Sequence, residues 1–182
     1  MKYASGLFFF LLFAVAPCGA QTVNACELRS NEAPALFNLR LGMSPEDARA
    51  VFGNSLKIKI RKNGNRVFFQ NFINEPAPPV LSGVRALYLR FFDLRLYEIE
   101  IFYEDKPEIK TLEDFTRYLS GTLKLPELWY DELNRQTIKC TDFTVVADKI
   151  LNPRVRLIDD ATTAKAEEFL EQQKQQKKKS NR

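Results

Sequence analysis

The chain has 182 residues, a formal net charge of +4 and no histidine, which excludes Ser-His-Asp and Cys-His catalysis and histidine-held metals. Its length suits one domain, or two small subdomains sharing a core. The last eleven residues hold five positive charges (Lys174, Lys177, Lys178, Lys179 and Arg182), so the body is near neutral and offers no surface for nucleic acid.

The first twenty residues read as a cleavable export signal. Lys2 gives a short basic start, an apolar run covers Leu7 to Val15, and the small residues Cys18, Gly19 and Ala20 precede the expected cut. The run is too short for a transmembrane helix, which needs about 20 apolar residues. A lipoprotein signal at Cys18 is the competitor, opposed by Pro17 directly before it. The expectation is a periplasmic or extracellular protein with no transmembrane segment in its mature chain. Its domain would span residues 21–160, with candidate subunits at 39–104 and 111–159. Cleavage leaves two cysteines, Cys26 and Cys140. An even count in an oxidising compartment predicts a disulfide between them, two separate buried thiols being the alternative. Two cysteines alone cannot complete a tetrahedral metal set, and neither metal nor cofactor is expected.

Residues 21–38 read as a polar, extended lead-in on the surface. Ser44-Pro45-Glu46-Asp47 then marks a helix start by cap, first-turn proline and acids at the positive end of the dipole. Ala48, Val51 and Phe52 form its apolar stripe, and Gly53 can end it. Alternation predicts a strand at 56–60, an Asn63-Gly64 turn and a return strand at 67–72. The proline run at 75–79 is a stiff connector. Val84–Tyr103 is the clearest stretch, two strands joined at Phe92-Asp93-Leu94. Leu87, Leu89, Phe91, Ile99, Ile101 and Tyr103 fall on a dry side, with Arg85, Arg90, Glu98 and Glu100 on a wet one.

Thr111-Leu112-Glu113-Asp114 repeats the cap chemistry and opens a second helix that Pro126 ends. Strands are predicted at 128–130, 136–140, 143–147 and 154–158. Residues 161–182 read as a solvated helix fraying into a basic, disordered tail. The fold expectation is therefore α+β: an antiparallel sheet with short helices packed on one face, its order also admitting two tandem helix-then-strands units.

Little in this carries chemistry. Glu98 and Glu100 stand on one strand face about 6.5–7 Å apart at Cα, near the spacing of a carboxylate pair, although a solvated face opposite Arg90 or Arg95 is the plainer reading. Trp129 and Tyr130 form a candidate aromatic contact surface, or else Trp129 packs under the second helix. Lys177, Lys178 and Lys179 could meet anionic lipid or cell-wall polymer, or simply solvate the tail.

Leu41-Gly42-Met43-Ser44-Pro45-Glu46-Asp47-Ala48, with Val51 and Gly53, resembles the helix entry of the BamE/SmpA-like envelope domains, and Leu89–Tyr103 resembles that family's paired strands. The tandem order is similar to beta-lactamase-inhibitor-protein-like folds. The resemblance implies short helices against an antiparallel sheet and a role in envelope assembly. It departs from the family in lacking a good lipobox, in Asn54 after the helix-ending glycine and in two extra strands before the main hairpin. The functional expectation is an exported, non-enzymatic binding module for a protein or cell-envelope component. An envelope-assembly accessory is the alternative, and a carboxylate-dependent hydrolase comes third.

Overall fold

The computed structural model describes residues 26–53, 66–72 and 77–180. The expected signal, the strand at 56–60, the Asn63-Gly64 turn and the start of the proline connector lie outside the described residues. Helix α1 spans Pro45–Phe52 and is followed by strands β1 (Arg66–Asn71), β2 (Val84–Phe92) and β3 (Arg95–Tyr103). Helix α2 (Leu112–Leu123) precedes β4 (Tyr130–Glu132), β5 (Arg135–Lys139), β6 (Phe143–Asp148) and β7 (Arg154–Asp159), and α3 (Asp160–Ser180) ends the chain. The fold is α+β.

The seven strands among the described residues form one antiparallel sheet in the order β1-β2-β3-β7-β6-β5-β4. Each half is a helix followed by a strand meander, and the last strand of one half pairs with the last of the other. At that seam Ile99 faces Leu157 and Ile101 faces Val155. These four side chains, with Leu87, Leu89, Val145 and Ile138, are fully or almost fully buried and make one face of the sheet apolar.

Helices α1 and α2 supply the other half of this core through Ala48, Phe52, Phe115 and Leu119. Their starts are chemically marked. Asp47 N–H donates to Ser44 Oγ at 3.0 Å. At α2, Asp114 N–H donates to Thr111 Oγ1 (3.1 Å) while Thr111 N–H donates back to the Asp114 carboxylate (3.0 Å), so two helix-end donors are satisfied reciprocally. Those bonds hold the Asp114 carboxyl below the usual aspartate range. The β2–β3 turn is tight because Asp93 and Leu94 both take positive φ (47° and 59°) without a glycine.

Three expectations need correction. The described part of the lead-in, residues 26–38, does not simply lie on the surface: Ala33 and Leu36 are buried in the core, as is Leu39 just after it, and the Phe37 ring lies 6.1 Å from that of Tyr103. The apolar residues here are too irregularly spaced for either period to reveal them. Second, α3 runs through Lys177–Lys179 to Ser180 rather than fraying before them. It crosses the sheet face opposite α1 and α2, where Thr144 Oγ1 donates to Asp160 (2.9 Å), Ala166 is 1% exposed and Phe169 meets Phe92 edge-on. Third, Glu98 and Glu100 are on the face away from Ile99, as alternation required, but they are not solvated.

Cys26 and Cys140 are joined by a disulfide with Cα atoms 4.4 Å apart. Thr141 reinforces it, its N–H donating to Leu28 O and its hydroxyl to Glu27 O, both at 3.0 Å. The lead-in is thus fastened to the β5–β6 turn in the second half. Among the described residues no helix is long and apolar enough to cross a membrane.

Candidate functional site

The second sheet face carries a lattice of opposite charges spread over four neighbouring strands. Pairing places Arg90 opposite Glu98, Glu100 opposite Arg156 and Asp148 opposite Arg154. Side chains on one face reach both their direct and their diagonal cross-strand neighbours. One Glu98 oxygen accepts from Arg90 Nη1 at 2.7 Å, and the other from Arg156 Nε and Nη2, both at 2.8 Å. Glu100 accepts from Arg154 Nη1 at 2.8 Å and lies 3.8 Å from Arg90 Nη2. Arg154 also donates from Nε and Nη2 to one oxygen of Asp148.

The lattice is neutral and lopsided. Its three carboxylates are 3–7% exposed, whereas its three guanidinium groups are 28–35% exposed. The acids are buried, and the arginines that hold them keep about a third of their side-chain surface in solvent. Burial alone would lower the Arg154 pKa, but the hydrogen bond and charge of Asp148, followed by Glu100, more than offset it and raise it. Burial, then the neighbouring Glu98 charge, raises the Tyr97 phenol above its ordinary value.

Aromatic rings border the arginines. Arg154 Cζ sits 5.5 Å from the centre of the Phe102 ring, within cation–π range, and Phe102 lies 5.8 Å from Tyr88. Helix α3 covers one end of the face, near Phe92 and Thr144, and leaves Phe102, Arg154 and Arg156 half-buried beyond it. Glu98 accepts from two guanidinium groups and Glu100 from Arg154, and both side chains are buried. What the arrangement presents to solvent is the exposed part of three guanidinium groups, one of them beside the Phe102 ring.

The sequence-derived candidates are placed elsewhere. Trp129 Nε1 donates to Ser120 Oγ at 2.8 Å and its ring packs on the core edge under α2, which was the plainer of its two readings. Tyr130 is 36% exposed on edge strand β4, its hydroxyl accepting from Lys139 N–H at 3.3 Å. Lys177, Lys178 and Lys179 are exposed at the end of α3. Sequence reasoning passed over Asp148, Arg154 and Arg156. Their signal was the charge alternation of Arg154 and Arg156 around Val155, complementary to Glu98 and Glu100 around Ile99.

Comparison with protein-family models, with curated proteins and with solved structures returns no match.

Proposed function

We propose that this chain is an exported, non-enzymatic binding module that receives a protein or cell-envelope partner on the second sheet face. One observation carries the reading: three arginines, 28–35% exposed, are held by buried carboxylates, and one of them, Arg154, lies against the Phe102 ring. Donors fixed in this way lose little further side-chain freedom when a partner docks, which is how preorganisation raises affinity. Arginine and aromatic side chains are also the residue types that dominate binding hot spots.

A narrower version is an accessory of envelope assembly. It rests on the BamE/SmpA-like resemblance, whose two segments touch in the fold. Gly42 N–H donates to Leu96 O at 2.7 Å and Leu96 N–H to Met43 O at 2.8 Å, tying the helix entry to strand β3.

The test is mild isolation of the exported protein together with whatever it holds, in parallel from parent and Phe102→Ser cells. Phe102 is half-buried at the border of the lattice, so the variant is expected to stay folded and lose its partner. Equal retention by both proteins would reject the face, and a turnover activity lost specifically in Glu98→Gln would favour the hydrolase instead.

A further inference from the structure

At the end of the sheet where β4 turns into β5 and β6 into β7, large apolar side chains point into solvent. Leu133 is 94% exposed, Leu151 89% and Ile150 69%. The Arg135–Asp148 pairing makes the two turns neighbours, and Asn134, Lys149 and Ile150 line one surface groove of about 510 Å³ together with Lys110. A second groove of about 540 Å³ adjoins it, sharing Lys110 and Lys149 and reaching Leu151, Lys106 and Asp105. The two grooves are lined by Lys106, Lys110 and Lys149 against one acid, Asp105, which already accepts a hydrogen bond from Asn152.

We propose that this loop end docks on an anionic lipid surface, with Leu133, Ile150 and Leu151 entering the headgroup boundary and Lys110 and Lys149 resting on the phosphates behind them. Apolar side chains that project from loop tips, rather than line a cleft, suit a soft medium that can close around them. Lysines behind those tips complement negative headgroups. Lys106 is directed inward, 5.0 Å above the Tyr118 ring, and contributes less. Glu104 and Glu108 are exposed on the same β3–α2 connection and oppose the attraction. Binding is therefore reversible and depends on both the apolar tips and the lysines. This surface adjoins the arginine face at the Asp148–Arg154 pair, but its residues are not those of the lattice, so separate substitutions test the two.

The experiment is co-sedimentation of the purified exported protein with phosphatidylcholine vesicles, with and without phosphatidylglycerol. The parent should sediment with the anionic vesicles in preference to the neutral ones. Substituting Leu133→Ser, Ile150→Ser and Leu151→Ser together should weaken that binding about tenfold or more. The pair Lys110→Gln and Lys149→Gln should abolish the preference for anionic lipid, while Lys177→Gln, Lys178→Gln and Lys179→Gln together leave it in place. All the positions are exposed or at the groove rim, and an unchanged melting temperature verifies that each variant is folded. As a second readout, Leu151→Trp should give a blue-shifted emission component with anionic vesicles. The proposal is overturned if the parent stays in the supernatant, if the triple serine variant binds as the parent does, or if only the tail lysines matter.

Discussion

Replacing Glu98 by glutamine tests the physical basis of the arginine face. Glu98 is 2% exposed and accepts from both Arg90 and Arg156, so Glu98→Gln turns an amide NH₂ toward one of two guanidinium groups that previously met an oxygen. Breaking a buried ion pair from one side typically costs about 3–5 kcal/mol. Here the charges left behind are on arginines that are 28–35% exposed and can turn partly toward water, so we place the cost lower, at about 2–3 kcal/mol. For a chain of this size that is a fall of about 5–10 °C in melting temperature. The converse change, Arg156→Gln, should cost at least as much, because it leaves a buried carboxylate with Arg90 as its remaining partner. The assay is chemical denaturation of the two single variants and the double variant, with Glu108→Gln as an exposed control that should stay within about 0.5 kcal/mol. The cycle should return a coupling of about 1–2 kcal/mol. A loss below about 1 kcal/mol for Glu98→Gln, with no coupling to Arg156, would refute the claim that the acids anchor the arginines.

Reducing the Cys26–Cys140 bond frees a loop with a sequence separation of 114, and the melting curve should report a loss of about 2–4 kcal/mol; an unchanged midpoint would show that the lead-in is held without it. Burial first of all raises the Asp160 carboxyl above the ordinary aspartate value, with the Thr144 hydrogen bond working against it. A raised acid contributes stability at pH below its unfolded pKa and loses it as pH climbs through the folded one, so the stability of the parent relative to Asp160→Asn should fall over that rise. A pH-independent difference between the two would contradict this. N-terminal sequencing of exported protein should begin at or near Gln21, whereas retained Met1 or a lipid-modified Cys18 would contradict the signal assignment.

The hairpin of β2 and β3 was legible almost residue by residue, because one apolar face alternating with charges can be satisfied in only one register. The capped starts of α1 and α2 were equally plain, since Ser44 and Thr111 act on donors within three residues of themselves. The disulfide followed from counting cysteines. What stayed hidden depended on which strand lies next to which. Glu98 and Glu100 read as solvated because nothing local shows that β3 pairs with β7, sixty residues away, and brings Arg154 and Arg156 onto the same face. The burial of Leu36 and Leu39 was hidden for a related reason. They sit in a compact turn, bridged to each other, with Phe37 and Asn38 at positive φ, and such a turn carries no period. The tail of α3 shows the opposite error. Its polar composition suggested fraying, but Phe169 and Ala166 anchor the helix, and Lys177–Lys179 complement the negative end of its dipole.

The most direct test of the proposed binding face is site-specific photo-crosslinking in the producing cell. A photoreactive residue is placed singly at Phe102, at Tyr88 beside it and at Glu46, which is exposed on α1 on the opposite side of the sheet. Discrete adducts of one mass from positions 102 and 88, with none from 46, are the predicted result. Adducts from 46 alone, or no more from 102 and 88 than from 46, would contradict the account.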